Sequence, residues 1–253
     1  MKVLLIIPAR YGSTRFEGKP LALLGGVPII ERVYRRAKSV TDNVIVATDD
    51  ERIAAVVKGF GGVCAMTSSE HRSGTDRCCQ AWQECGVDAD IVINIQGDEP
   101  FIERSEIETL IECMRDNSVD IATLATPFLR GCSIEDIENP NSVKVVTSQS
   151  NSALYFSRSA VPYLRGVDRD RWSEEHTFYR HVGVYAFRAK ILEKVTQIEQ
   201  TPLEKMESLE QLRWLESGYK ISVGFTQGNS IGIDTPEDLA RAEEYLSTIK
   251  NNY

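Results

Sequence analysis

Two aspartates and three cations are the residues of this chain whose types and spacing could do chemistry together. Asp98 closes the segment Val92-Ile93-Asn94-Ile95-Gln96-Gly97 and Asp234 closes Ser230-Ile231-Gly232-Ile233, so each carboxylate follows an apolar stretch into a polar turn. Arg10, Arg15 and Lys19 crowd the loop PARYGSTRFEGKP at residues 8–20, directly behind the apolar run Val3 to Ile7. A run of that kind reads as a strand buried on both faces, and open α/β sheets place ligands beyond the carboxyl ends of such strands. Gly12, Ser13 and Gly18 let the backbone come close and offer N–H donors, while the cations neutralise charge. The guest this suits is a polyphosphate, a nucleoside triphosphate first of all. Magnesium takes hard oxygen ligands, often one or two carboxylates completed by phosphates and water, so Asp98 and Asp234 beside a triphosphate would make a metal site. The plainer readings are a solvated basic loop, a turn-capping Asp98 and an Asp234 that caps the last helix.

Two further sets carry polar groups in useful places. Ser73-Gly74-Thr75-Asp76-Arg77 leads into a helix, and its N–H groups and hydroxyls suit a nucleobase edge, although Thr75 as a helix cap explains it equally well. Arg158 after Tyr155-Phe156-Ser157, His181 and Tyr185 in one apolar strand, and Glu210-Gln211 form the other. Arg with His suits a carboxylate, while Tyr, Glu and Gln suit hydroxyls, so an acidic sugar is a fitting guest; a satisfied structural His is the plainer alternative. No His/Cys grouping competes as a transition-metal site.

The elements that must position these groups follow from periodicity. Apolar runs at 43–48, 63–66, 90–95, 121–126, 143–147, 153–157, 181–187 and 221–225 read as strands, and helical spacing appears at 28–40, from Asp50, at 76–85, around Ile107 to Met114, at 189–196 and at 204–216. Thr235-Pro236-Glu237-Asp238 opens a last helix with a cap, a first-turn proline and acids at the positive dipole end. Strand and helix alternate, which predicts an α/β sandwich on a mixed, mainly parallel sheet. Residues 161–177 are charged and aperiodic and read as an excursion or flap rather than a linker, so 1–253 is expected to be a single domain.

Composition narrows the partners. With 253 residues, 42% hydrophobic and 26% charged, a sizeable core is available, and the net charge of -8 argues against a nucleic-acid partner. The six cysteines form no C-x-x-C pair and no regular framework, which fits reduced thiols. The first apolar run is too short for a signal-peptide core and no stretch reaches membrane-spanning length, so a soluble, cytoplasmic protein is expected.

Taken in order, IPARYGSTRFEGKP, VATDD, SGTDR, NIQGDEP, ALYFSR, RHVGVYAF, LEQLR and IDTPEDL resemble the 3-deoxy-manno-octulosonate cytidylyltransferase family, the CMP-Kdo synthetases. The likeness covers nearly the whole chain. It implies a Rossmann-like nucleotidyltransferase fold with a small excursion near 158–180, a homodimer, and the joining of CTP to 3-deoxy-D-manno-octulosonate (Kdo) with release of pyrophosphate for lipopolysaccharide synthesis. Magnesium is implied at Asp98 and Asp234, with Lys19 and Arg10 assisting catalysis. Ala9, Arg10, Gly12, Ser13, Arg15 and Lys19 would hold CTP; Ser73, Gly74, Arg77 and Gln96 would surround its base and ribose; Arg158, His181, Tyr185, Glu210 and Gln211 would hold the sugar. The alternatives are activation of a related acidic sugar, 8-amino-Kdo or a sialic acid, and a CTP-binding module without catalysis. One departure stands out: the family usually carries proline before Gly-Lys-Pro, and here Glu17 stands there. The change removes a φ restraint and adds negative charge near phosphates, which predicts a looser loop and weaker CTP binding, modestly so if Glu17 points outward.

Overall fold

Strand β1 (Val3–Ala9) owes its position to Leu4, Leu5, Ile6 and Ile7, none of which is exposed to solvent in the computed structural model. The structure describes residues 1–12, 15–227 and 232–250, and the chain divides into two compact units, 1–107 with 229–253 and 108–228. In the first unit a short hairpin, β2 (Leu23–Leu24) and β3 (Val27–Pro28), is followed by α1 (Ile29–Lys38), β4 (Val44–Thr48), α2 (Glu51–Gly59), β5 (Cys64–Met66), α3 (Gly74–Cys85) and β6 (Ile91–Asn94). β1 pairs in parallel with β4 on one side and β6 on the other, and β5 adds to β4. Apolar residues therefore face both helical layers, which is why these strands read as continuous runs instead of alternating ones. Helix α4 (Arg104–Cys113) carries the point of division between the units.

Capping residues set the helix starts. The Asp50 side chain accepts the Arg52 N–H at the head of α2, as its position after β4 predicts. At α3 the cap is Ser73, whose hydroxyl accepts the Asp76 N–H at 3.1 Å, so the helix begins two residues before the expected Asp76 and Thr75 lies buried within it.

The second unit is a mixed sheet. It contains β7 (Ile121–Pro127), α5 (Ile134–Glu138), β8 (Lys144–Thr147), β9 (Ala153–Ser157), α6 (Trp172–Glu175), β10 (Tyr179–Arg188), α7 (Ala189–Val195), α8 (Pro202–Glu207), α9 (Glu210–Glu216) and β11 (Ile221–Phe225). β11 runs parallel to β7, whereas β10 is antiparallel to β7 and β8, and β8 to β9. The register of β10 on β7 shifts between Val182 and Tyr185. One expectation is corrected here. The helix read across 204–216 is two helices, because Ser208 turns left-handed at φ 51 and re-aims the chain so that Leu209 and Leu212 both reach the core. The aperiodic stretch 161–177 is folded onto a core of its own, in which Trp172 stacks on Phe178 beside Ile137, and the Trp172 indole N–H donates to the Val167 carbonyl.

The chain closes in the first unit with α10 (Pro236–Lys250), where Thr235 and Asp238 form a reciprocal cap: the Asp238 N–H bonds the Thr235 hydroxyl at 3.2 Å and the Thr235 N–H bonds the Asp238 carboxylate at 2.9 Å. Among the described residues no helix is long and apolar enough to cross a membrane, and all six cysteines are free.

The excursion core gives a direct stability test. Trp172→Ala removes the largest side chain of that cluster and should lower unfolding free energy by about 3–5 kcal/mol in urea titration; a loss near zero would show that the segment is not packed as described.

Candidate active site

A cavity of about 260 Å³ opens at the carboxyl ends of β1 and β6 in the first unit. Its walls bring together Ala9, Arg10, Arg15 and Lys19 from the first loop, Ser73, Gly74 and Arg77 from the head of α3, and Gln96, Asp98 and Asp234. Gly12 is exposed and does not line it, and Ser13 lies outside the described residues.

The centre of the cavity is one ammonium between two carboxylates. Lys19 Nζ donates to Asp98 Oδ2 at 2.5 Å and to Asp234 Oδ1 at 3.1 Å, and Arg15 donates to Asp234 Oδ2 at 3.1 Å. Two like charges held this close repel, so the shared cation is what makes the arrangement tolerable. Backbone geometry fixes both acids independently of that cation. The Ile233 N–H donates to the Asp98 carbonyl at 3.0 Å, tying together the two segments that carry the acids, and Ile233 itself is fully buried. The Asp234 N–H then bonds the Asp238 carboxylate at 3.0 Å, so the head of α10 orients Asp234 from the other side. Burial alone would raise the pKa of Asp238; bonds from the Asp234 and Thr235 backbone, the Thr235 hydroxyl and Arg241 outweigh it and hold the carboxyl below its usual range. Gly97 is required beside Asp98 because a Cβ there would stand 2.9 Å from the Pro8 carbonyl oxygen.

Two expected ligand residues also carry the architecture. Arg77, buried, donates to the Thr67 hydroxyl at 2.6 Å and to Asp49 at 3.1 Å, which leaves only part of its guanidinium for a guest. The Ser73 hydroxyl oxygen accepts the cap bond of α3, which leaves its O–H to donate. Cavity walls that the sequence reading passed over are His71 and Arg72, immediately before Ser73. A second pair of ionisable groups ahead of a helix start was the available signal.

The expected sugar residues lie in the second unit. Tyr185 is buried, its hydroxyl pKa pushed well above 10 by burial and then by the Glu210 charge, so it is a neutral donor. His181 packs edge-on to Phe156 and tilted against Tyr185, with ring centroids 4.9 and 5.5 Å away. Burial lowers its pKa from 6.5 to about 3. Thr123 settles which ring nitrogen carries the proton. The Thr123 hydroxyl faces the Val184 and Val182 carbonyls at 2.8 and 3.2 Å, which accept only, so its one proton goes there and its oxygen accepts Nε2–H from His181 at 2.9 Å. The Nδ1 of His181 is left as an acceptor.

Arg158 and His181, expected to face a carboxylate together, are each engaged elsewhere in this structure. His181 is uncharged, and the Arg158 guanidinium reaches the carbonyls of Glu207, Pro140 and Ser208 at 2.6, 2.8 and 3.3 Å. Glu207 returns the contact by accepting the Arg158 N–H and the Ser157 hydroxyl, and fully buried Lys144 donates to the Arg158 carbonyl at 2.6 Å. Glu210 receives Arg213 at 2.8 Å, and Gln211 is buried at the head of α9. Thr123, Lys144 and Glu207 had no sequence signal, since each sits in an ordinary strand or helix pattern.

A family model described as cytidylyltransferase matches residues 4–221. The chain belongs to the cytidylyltransferase family. A protein of Phocaeicola vulgatus named 3-deoxy-manno-octulosonate cytidylyltransferase is 54% identical over 97% of this chain and 98% of its own length. One of the same name from Thermodesulfovibrio yellowstonii is 48% identical over 98% and 99%. A solved structure described as CMP:2-keto-3-deoxy-manno-octonic acid synthetase complexed with CTP superposes with a TM-score of 0.89 at 40% identity, covering 98% of this chain and 99% of that one. This cytidylyltransferase thus has the mixed α/β fold its strand pattern predicts.

The His181 environment makes a pH prediction. Its folded pKa lies below its unfolded value, so the unfolded chain binds more protons between about pH 3 and 6.5; this contribution to stability is whole above about pH 6.5 and is lost as pH falls towards 3. The His181 ring resonances should stay those of a neutral Nε2–H imidazole from about pH 5 to 9 in NMR titration, and a mid-range titration would refute the assignment.

Proposed function

We propose that the protein joins CTP to Kdo, giving CMP-Kdo and pyrophosphate. The observation that carries this reading is Lys19 bridging Asp98 and Asp234 in a cavity that also holds Arg10 and Arg15. The anomeric hydroxyl oxygen of Kdo forms a bond to the α-phosphorus of CTP as the bond from that phosphorus to the bridging oxygen breaks, and pyrophosphate departs with the electron pair. The hydroxyl proton leaves to solvent.

Such a transfer needs alignment and charge neutralisation more than a covalent protein intermediate. Arg10, Arg15 and Lys19 supply cations for the triphosphate, and fixed charges that need no reorganisation are the efficient way to stabilise phosphoryl oxygens as they gain charge. Gln96 and the head of α3 at Ser73 and Gly74 offer amide and backbone groups for the base and ribose. Glu210, the Tyr185 hydroxyl and the Nδ1 of His181 read sugar hydroxyls, and Gln211 adds an amide; Arg158 is the cation available for the sugar carboxylate once it releases backbone carbonyls.

Asp98 and Asp234 fit a divalent cation by chemistry and by placement, being two hard oxygen donors that already reach one shared positive charge. Magnesium is the ion we assign to them; when bound it supplies charge neutralisation at the phosphoryl oxygens and acidity at a hydroxyl. We further read the protein as a cytoplasmic homodimer serving lipopolysaccharide synthesis, with 1–253 acting as one nucleotidyltransferase domain and the 158–180 excursion contributing to the dimer.

Incubation with magnesium, CTP and a panel of Kdo, 8-amino-Kdo and sialic acid should release pyrophosphate with CTP and Kdo, with UTP inert. Preference for a nine-carbon sugar would replace the substrate assignment, and CTP binding without turnover of any sugar would overturn catalysis. Asp98→Asn and Asp234→Asn should each lower kcat by about 10²-fold or more while the fold persists; near-normal turnover would sink the metal assignment.

A further inference from the structure

The loop that carries the nucleotide-binding cations lacks the proline its family usually places before Gly18, yet it is held by a contact outside the cavity. Tyr11 and Gly18 close the loop: the Gly18 N–H donates to the Tyr11 carbonyl at 2.9 Å. The Tyr11 ring then lies against Gly18 so closely that a Cβ there would stand 3.1 Å from its Cζ and Oη, and Gly18 has a left-handed φ of 69. Glycine is therefore required twice over, for backbone conformation and for room. Onto the same ring stacks the guanidinium of Arg52, its Cζ 3.3 Å from the centroid. Arg52 is itself fixed by two bonds to the Asp50 carboxylate, from Nε at 2.9 Å and Nη2 at 2.6 Å, and Asp50 is the cap of α2.

We infer that Arg52 is a positioning residue for CTP binding, acting through Tyr11 to clamp the turn that presents Arg15 and Lys19. The inference rests on the reading of that loop as the triphosphate site. Continuity is short: Arg52 holds Tyr11, Tyr11 packs on Gly18, and the next residue is Lys19, whose ammonium spans Asp98 and Asp234. The Arg52 pKa is raised first by the Asp50 bond and then, against desolvation, by the charges of Asp50, Tyr11 and Glu17. An isolated surface ion pair contributes little, but a planar guanidinium locked by a bidentate carboxylate and stacked on an aromatic ring is preorganised. It supplies from α2 the restraint that a proline would supply from within the loop.

The test separates this role from general stability. Arg52→Ala should weaken CTP binding about three- to tenfold by calorimetry and raise KM for CTP to match, with kcat and KM for Kdo within about twofold and Tm within a few degrees. Arg52→Lys, which keeps charge but loses the fork and the planar stack, should fall between. Tyr11→Leu and Arg52→Ala should be non-additive. Unchanged CTP affinity in Arg52→Ala, or equal losses for CTP and Kdo, would each overturn the inference. Absence of CTP binding by the unaltered protein would instead overturn the loop assignment, and the inference with it.

Discussion

Two carboxylates cannot be brought into one cavity of a folded protein without something to offset their repulsion, and this chain solves the problem with backbone first and charge second. The bond from the Ile233 N–H to the Asp98 carbonyl sets where the two acid-bearing segments run, and the reciprocal cap at the head of α10 sets the exit from Asp234. Neither depends on the ionisation of Asp98 or Asp234. Lys19 then has only to occupy the point both acids reach, and Arg15 takes the remaining oxygen of Asp234. Because the scaffold and the counter-charge are separate, a guest that brings its own charges can exchange partners with these side chains without dismantling the segments that hold them.

The second unit works by a different economy. Its polar groups are neutralised or committed: His181 is uncharged, Tyr185 keeps its proton, and Arg158 is turned onto carbonyls. What selects the ring proton of His181 is the register shift in β10. That shift leaves the Val182 and Val184 carbonyls beside one hydroxyl, and a hydroxyl committed to acceptors must itself accept from the imidazole. A strand irregularity therefore becomes a chemical specification. Neutral donors and acceptors discriminate hydroxyl patterns by geometry, because a mismatched guest leaves a buried polar group unpaired.

The legible parts of the sequence were those where one physical rule acted alone. Parallel strands buried on both faces announce themselves as apolar runs, so β4 and β6 were placed to within a residue at each end, β1 fell two residues short of its end at Ala9, and the acid after β6 followed from them. The helix over 204–216 failed because its apolar spacing is satisfied equally by one helix or by two joined at a left-handed Ser208. Thr75 was the cap considered for α3 and Ser73 is the one observed; both residue types cap well, so local propensity does not decide, and burial of Thr75 does. Thr123 and Glu207 were invisible for a deeper reason. Their partners lie 58 and 49 residues away at His181 and Arg158, and no short-range pattern encodes a bond of that span.

Glu17 shows how a departure from a family pattern is to be weighed. Taken within its own loop, loss of proline and gain of a carboxylate both argue for a looser, less hospitable turn. The structure adds contacts that the loop sequence does not show: the ring of a tyrosine six residues earlier in the same loop lies against Gly18, and an arginine from α2 stacks on that ring, the arginine in turn held by that helix's cap. Backbone restraint from a ring closure and backbone restraint from a stacked side chain reach the same end by different routes, since each removes conformations from the unligated loop that binding would otherwise have to exclude. The consequence for reading sequences is that a missing restraint is evidence of looseness only after the elements packed against the segment have been searched for its replacement.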